Sequence, residues 1–110
     1  MIAQISDRAR ADLEQMYNSI LSRQGSEQAE QFLGRAIEAV EFLVLNPEAG
    51  PHPCWRTRHK TIRFWVISRT NFLIFYFAEN GRVSIERILD SRRDVKRIMN
   101  RRRENLKREG

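Results

Sequence analysis

Apolar side chains recur every three or four residues along the first part of the chain and every one or two residues further on, so the chain divides into helices and then strands. Met1 to Ile5 is a short, partly apolar run that stops at Ser6-Asp7, a hydroxyl and an acid suited to a helix start. From Ala9, the positions Leu13, Met16, Tyr17, Ile20 and Leu21 make one helical stripe, which ends near Gly25. Ser26 is placed to cap a second helix, whose Ala29, Phe32, Leu33, Ala36, Ile37, Val40, Leu43 and Val44 line one face until Asn46-Pro47 closes it. Two amphipathic helices with so short a link form an antiparallel hairpin, and their joint apolar face requires a sheet to cover it.

Residues 46 to 61 carry Pro47, Gly50, Pro51 and Pro53 without periodicity and read as an irregular loop that ends in Arg56-Thr57-Arg58-His59-Lys60. Phe64 to Ile67 and Phe72 to Phe77 are β-branched and aromatic runs of strand length, and the second is apolar on both parities, as a central strand requires. Asn80-Gly81 suits a type I′ turn into a strand from Val83 to Leu89, in which Val83, Ile85 and Leu89 are expected on one face. Ser91 is placed to cap a last helix with a thin stripe of Val95, Ile98 and Met99. The fold class is therefore α+β: an N-terminal strand, an antiparallel helical hairpin, a three-stranded antiparallel meander and a C-terminal helix. One domain is expected over residues 1–110, with 100–110 a basic, frayed tail.

Composition narrows the function classes. A hydrophobic content of 41% supports a core, while 31% charged residues and no apolar run near about 18 residues argue against a membrane span. The N-terminus lacks a basic segment followed by an apolar one, and Cys54 is the single cysteine, so a reducing, cytoplasmic setting is expected. Residues 1–91 carry 11 basic and 11 acidic side chains, whereas 92–110 carry 9 and 3, so the whole net charge of +6 sits at the C-terminal end. That cluster suits nucleic acid or an acidic protein segment. Arg101 to Gly110 offers only Leu106 as a large apolar anchor, worth about 1.5–3 kcal/mol if buried, so its loss is expected to leave the fold intact and to weaken target engagement.

Candidate chemistry is cationic. His52, Cys54 and His59 lack zinc-like spacing, Cys54 beside Trp55 reads as an inert thiol, and phosphate-cradling glycine motifs are absent, so neither metal nor cofactor is expected. Gly34, inside the second helix, is either a point of close packing or a tolerated weak helix residue. Arg56, Arg58, His59, Lys60 and Arg63 precede the sheet, and Arg87, Arg92, Arg93, Lys96 and Arg97 follow or close it. Brought to one face, these cations suit an RNase, a DNA-linked target or an acidic partner. Arg87 interrupts the parity of its strand and needs a partner, with Asp90, Asp94 or a backbone carbonyl the expected ones.

Over nearly its whole length the chain resembles the ParE branch of the ParE/RelE toxin superfamily. The resemblance rests on Asp12-Leu13 with Tyr17 and Ile20, on Ala29 to Leu33, on Asn46-Pro47-Glu48-Ala49-Gly50, on Asn71-Phe72-Leu73-Ile74-Phe75-Tyr76, and on Val83 to Val95 with its Arg92-Arg93-Asp94. It implies a toxin of a type II toxin–antitoxin system, with a helical hairpin on a sheet and a ParD-like antitoxin whose C-terminal segment wraps it. It also implies inhibition of DNA gyrase, growth arrest and plasmid stabilisation. The antitoxin is expected to cover Leu13, Tyr17, Phe32, Trp55, Trp65 and Phe77, and the target to meet Arg56, Arg58, Arg63, Arg87, Arg92, Arg93, Lys96 and Arg97. Two departures stand out: the family often has histidine where Asp90 stands, and the basic extension after Met99 is long. RelE-like relatives instead cleave mRNA in the ribosome, commonly with a tyrosine after the closing motif. Here no tyrosine follows Tyr76, and an RNase would have to rely on Arg56, Arg58, Lys60, Arg63 and Arg92.

Overall fold

The computed structural model describes residues 3–55, 57 and 61–100. The expectations for Arg56, Arg58, His59, Lys60 and the tail 101–110 lie outside the described residues. In chain order the elements are β1 (Ala3–Ile5), α1 (Asp7–Gln24), α2 (Ser26–Leu45), β2 (Arg63–Val66), β3 (Phe72–Glu79) and β4 (Arg82–Asp90). Residues 95–100 are helical as well and are termed α3.

Local signals set most boundaries. The Ser6 hydroxyl accepts the Ala9 amide at 3.0 Å and starts α1, while Gly25, at φ 96°, stops it. Gly25 is also the residue before α2, and no side chain caps that helix, so Ser26 is its first helical residue rather than its cap. α3 starts from Asp94, whose carboxylate accepts the Arg97 amide at 3.2 Å, rather than from Ser91. The β3–β4 turn has Asn80 at φ 53° and Gly81 at φ 73° with Glu79 opposite Arg82, the two-residue connection that Asn-Gly favours.

The four strands form one sheet in the order β1-β4-β3-β2. β1 is parallel to β4, and the other pairs are antiparallel. Apolar side chains cover both faces of this sheet. The hairpin side packs Phe32, Ala36, Ala39 and Leu43 of α2 against Ile74, Tyr76, Val83, Ile85 and Ile88. The opposite side packs Phe75 and Leu89 with Ile62 and Met99, joined by the half-buried Trp55, Phe64 and Phe77. This explains why β3 is apolar on both parities.

β4 departs from simple alternation. Phe75 lies opposite Arg87 and Tyr76 opposite Ile85, so Glu86 is an extra residue in a β-bulge. The bulge reverses parity: Val83 and Ile85 face the helices, and so does Ile88, whereas Leu89 faces the other way. Leu89 therefore does not share a face with Val83 and Ile85. α2 also differs from its stripe in one place, since Ile37 is 50% exposed. Gly34 has open space where a side chain would project, so it serves no close packing.

One buried polar contact pins the long connection to the sheet. The fully buried Tyr76 hydroxyl donates to the Pro47 carbonyl and accepts the Gly50 amide, both at 2.9 Å. Burial raises the Tyr76 phenol above its ordinary pKa, against the lowering effects of the Gly50 amide and the Arg63 charge. A Cβ at Gly50 would fall on the Phe64 carbonyl oxygen and 2.5 Å from the Tyr76 hydroxyl. Gly50→Ala is therefore expected to destabilise the fold by about 1–3 kcal/mol through overpacking. Tyr76→Phe should cost a similar amount, roughly 1–3 kcal/mol, by stranding the Gly50 amide. Urea denaturation of the two variants checks both values, and wild-type midpoints would show that this junction is soft.

Candidate functional site

Among the described residues, the candidate cations do not all gather in one place. Arg63 opens β2 opposite Tyr76 and donates from one guanidinium nitrogen to the Gly50 carbonyl at 2.7 Å and the Glu48 carbonyl at 3.2 Å. Arg92 lies beyond the Phe72 end of β3, past Asp90, which pairs with Phe72. Arg87 is half-buried, and its partner is Asp12 of α1, not Asp90, Asp94 or a carbonyl. The guanidinium donates to the two carboxylate oxygens at 2.8 and 3.1 Å, with the side chains 18% and 13% exposed.

Asp12 does more than neutralise Arg87. β1 ends opposite Ile85, so β4 continues as an edge strand with polar backbone groups to satisfy. The Ser6 amide donates to the Ile85 carbonyl at 2.9 Å, the Ser6 hydroxyl donates to the Glu86 carbonyl at 2.7 Å, and Asp12 accepts the Ile88 amide at 3.0 Å. The start of α1 thus replaces the missing strand along the bulge. No local signal reveals this pairing, because Asp12 and Ile88 are 76 residues apart.

Past β4, Asp90 accepts the Arg92 amide at 2.9 Å and its guanidinium at 3.0 and 2.7 Å. The hydrogen bond from Arg92 lowers the Asp90 carboxyl below its ordinary value, and the same bond raises the Arg92 guanidinium. Aspartate at this position therefore holds Arg92 in a fixed fork. A cleft of ≈ 360 Å³ lies beside the pair, between α1 and the ends of β3 and β4. It brings Arg92 and Arg93 to Arg23 of the last turn of α1, a residue that sequence reasoning did not single out. Lys96 and Arg97 are exposed on α3.

The apolar candidates are spread over the sheet. Leu13, Tyr17 and Trp65 are half-buried against the hairpin-side core, whereas Trp55 and Phe77 join the core on the opposite side. Phe32 is only 3% exposed and meets Phe72 edge-on at 5.2 Å. Tyr17 donates to Glu30 of α2 at 2.9 Å, which raises its phenol. The large apolar side chains most open to solvent include four that periodicity assigned to the core or left out: Leu45 at 81%, Ile37 at 50%, Val66 at 49% and Phe42 at 42%. Phe42 stacks on Trp65 at 5.0 Å, so the exposed apolar band of α2 reaches the outer strand β2, whereas Val66 shares the parity of Phe64 and turns to the opposite face of the sheet. His52 Nδ1 lies 2.9 Å from the Ile62 carbonyl, and Cys54 is free and exposed.

This arrangement, a helical hairpin on one face of a four-stranded sheet with a basic end, defines a small two-layer protein that presents distinct apolar and cationic surfaces. The family model for the ParE toxin of type II toxin–antitoxin system, parDE, matches residues 3–95, and the chain belongs to that family. It is also similar to a solved chain from the chromosomal ParDE TA system from P. aeruginosa, at 26% identity and a TM-score of 0.65, covering 80% of this chain and 92% of that one. No curated protein matches. Among the described residues, no helix is long and apolar enough to cross a membrane.

The Asp90–Arg92 fork has a measurable consequence in acid. Because the folded pKa of Asp90 is lowered, its contribution to stability is complete above the unfolded aspartate value of 3.8 and is lost as pH falls through the folded value. An NMR titration of the carboxyl should give a midpoint below 3.8 in the wild type and a return toward it in Arg92→Ala. A wild-type midpoint at or above 3.8 would remove the fork from solution.

Proposed function

We propose that the chain is the growth-arresting toxin of a parDE-type pair, acting in the cytoplasm on DNA gyrase without cutting nucleic acid itself, and silenced by a ParD-like antitoxin. The observation that carries the reading is the apolar band of Ile37, Phe42 and Leu45 along α2 on a member of the ParE toxin family. Ile37 and Leu45 are about two turns apart on α2, and Phe42 carries the apolar surface onto Trp65 of the edge strand β2. Large apolar side chains left open in this way mark a partner site. Trp65, one of the residues expected to meet the antitoxin, belongs to this band, while Phe32 is held in the core.

An inhibitor is favoured over a ribosome-dependent RNase by how the arginines are held. Of the described candidates, Arg63 is engaged by the Gly50 and Glu48 carbonyls beside Tyr76, partway along β3, while Arg92 pairs with Asp90 past the Phe72 end of that strand. Arginines engaged at separate places along the sheet are not aimed at a single developing charge, as cleavage of one phosphate requires. Arg93, Lys96 and Arg97, exposed beyond β4, are open to a target.

Induction of the chain without its antitoxin should produce DNA breaks, and the purified protein should inhibit supercoiling by gyrase. Codon-linked mRNA cleavage that disappears with Arg63→Ala or Arg92→Ala would instead establish an RNase. In the same experiment Leu45→Asp should leave toxicity intact and weaken neutralisation by about tenfold or more, as loss of a central apolar anchor does.

A further inference from the structure

The cleft at the end of α1 has a chemistry that the apolar band does not share. Its lining mixes apolar side chains, Met16 and Ile20 of α1 and Phe72 of β3 over the buried Ile88, with the uncharged polar Gln15, Ser19 and Gln24 of α1. It also carries three arginines and two aspartates. Asp12 is engaged by Arg87 and Asp90 by Arg92. Arg23 and Arg93 remain, and among the described residues neither has an ion-pair partner. Arg23 is partly accommodated by the C-terminal dipole of α1, but that leaves its guanidinium available to a carboxylate.

We propose that this cleft receives an acidic segment of the antitoxin, with one apolar side chain against Met16, Ile20 and Phe72 and flanking aspartate or glutamate carboxylates paired to Arg23 and Arg93. The identity of the partner rests on the function proposed above; the chemistry of the segment rests on the cleft. A nucleic-acid backbone would use the arginines and leave Met16, Ile20 and Phe72 uncovered, since contacts to phosphates need no apolar surface. A segment that is only apolar would cover those side chains and leave two cations under it without partners, an unfavourable exchange. An amphipathic acidic segment satisfies both. The ≈ 360 Å³ volume is at the lower end of ligand-sized pockets and suits one large side chain with its neighbours rather than a whole helix.

The Asp90–Arg92 fork has a positioning role in this arrangement. By occupying Asp90, Arg92 keeps that carboxylate from pairing with Arg93, three residues on and close enough for its charge to act on Asp90. Replacing Asp90 by asparagine would free Arg92 to join Arg93 and raise the positive charge of the cleft. The variant Asp90→Asn is accordingly expected to bind the acidic segment no less tightly than the wild type.

The test uses the full chain and its full-length antitoxin, with affinity measured at roughly 50 mM and 300 mM salt, on either side of the usual screening range. Arg23→Gln with Arg93→Gln should weaken binding by about tenfold at the lower salt and flatten its salt dependence, and Arg23→Glu with Arg93→Glu should do so more strongly. Leu45→Asp should weaken binding at both salts and leave the salt dependence as it was. Unchanged affinity and salt dependence in the arginine variants, with Leu45→Asp still weakened, would overturn the cleft assignment and leave the proposed function standing. Arginine variants that lose affinity for a DNA duplex but keep full affinity for the antitoxin would also overturn it, making the cleft a nucleic-acid contact. A wild-type chain that binds no antitoxin would end both readings. Thermal melting of each variant at the wild-type temperature confirms that the effect is local.

Discussion

The carboxylate of Asp12 holds together the two parts of this protein that differ most in sequence position and period. It takes two hydrogen bonds from Arg87 and one from the Ile88 amide, and it does so where β4 has lost its outer neighbour. Ser6, six residues earlier, meets the Ile85 and Glu86 carbonyls with its amide and hydroxyl while also accepting the Ala9 amide. The first turns of α1 therefore serve as a substitute strand, and the bulge at Glu86 is stable because its exposed groups have partners. By fixing the angle at which α1 leaves the sheet, the same contacts set the width of the cleft between α1 and the end of β4. They also direct Arg87 along the sheet edge and away from solvent.

Much of the fold was legible because its signals are local. Ser6, Gly25 and Asn80-Gly81 act through their own backbone geometry, and the double-sided apolarity of β3 needs only a layer on each face. What escaped was set by contacts distant in sequence. The β4 bulge reverses the facing of Ile88 and Leu89, and alternation cannot register an extra residue. Arg87 was recognised as needing a partner, yet the partner lies in a helix whose sequence gives no sign of it. Ile37 fits the α2 stripe by spacing and is nonetheless half-exposed, because the stripe is wider than the strip of sheet beneath it.

The candidate site was legible in kind but not in arrangement. Arg92 and Arg93 stood out by charge, whereas Arg23 enters only because α1 runs past the end of β4. Arg63 shares their charge but is bound to backbone carbonyls beside Tyr76, away from the cleft. Trp55 and Phe77 are half-buried against a second core, while the most open large apolar side chains of the hairpin are on α2. One surface offers burial and the other offers charge, a division consistent with a partner that must be held tightly and chosen specifically.

The central claim, that α1 completes the sheet through Asp12, is tested most directly by combining denaturation with amide exchange at Ile88 for Asp12→Ala, Arg87→Ala and the double variant. Loss of a partly buried carboxylate with charged hydrogen bonds should make Asp12→Ala less stable by about 2–4 kcal/mol. The double variant should cost less than the sum of the two single ones, and the Ile88 amide should lose protection whenever Asp12 is absent. An Asp12→Ala protein within about 0.5 kcal/mol of the wild type, with Ile88 still protected, would contradict the account, since surface positions without such contacts vary by that much.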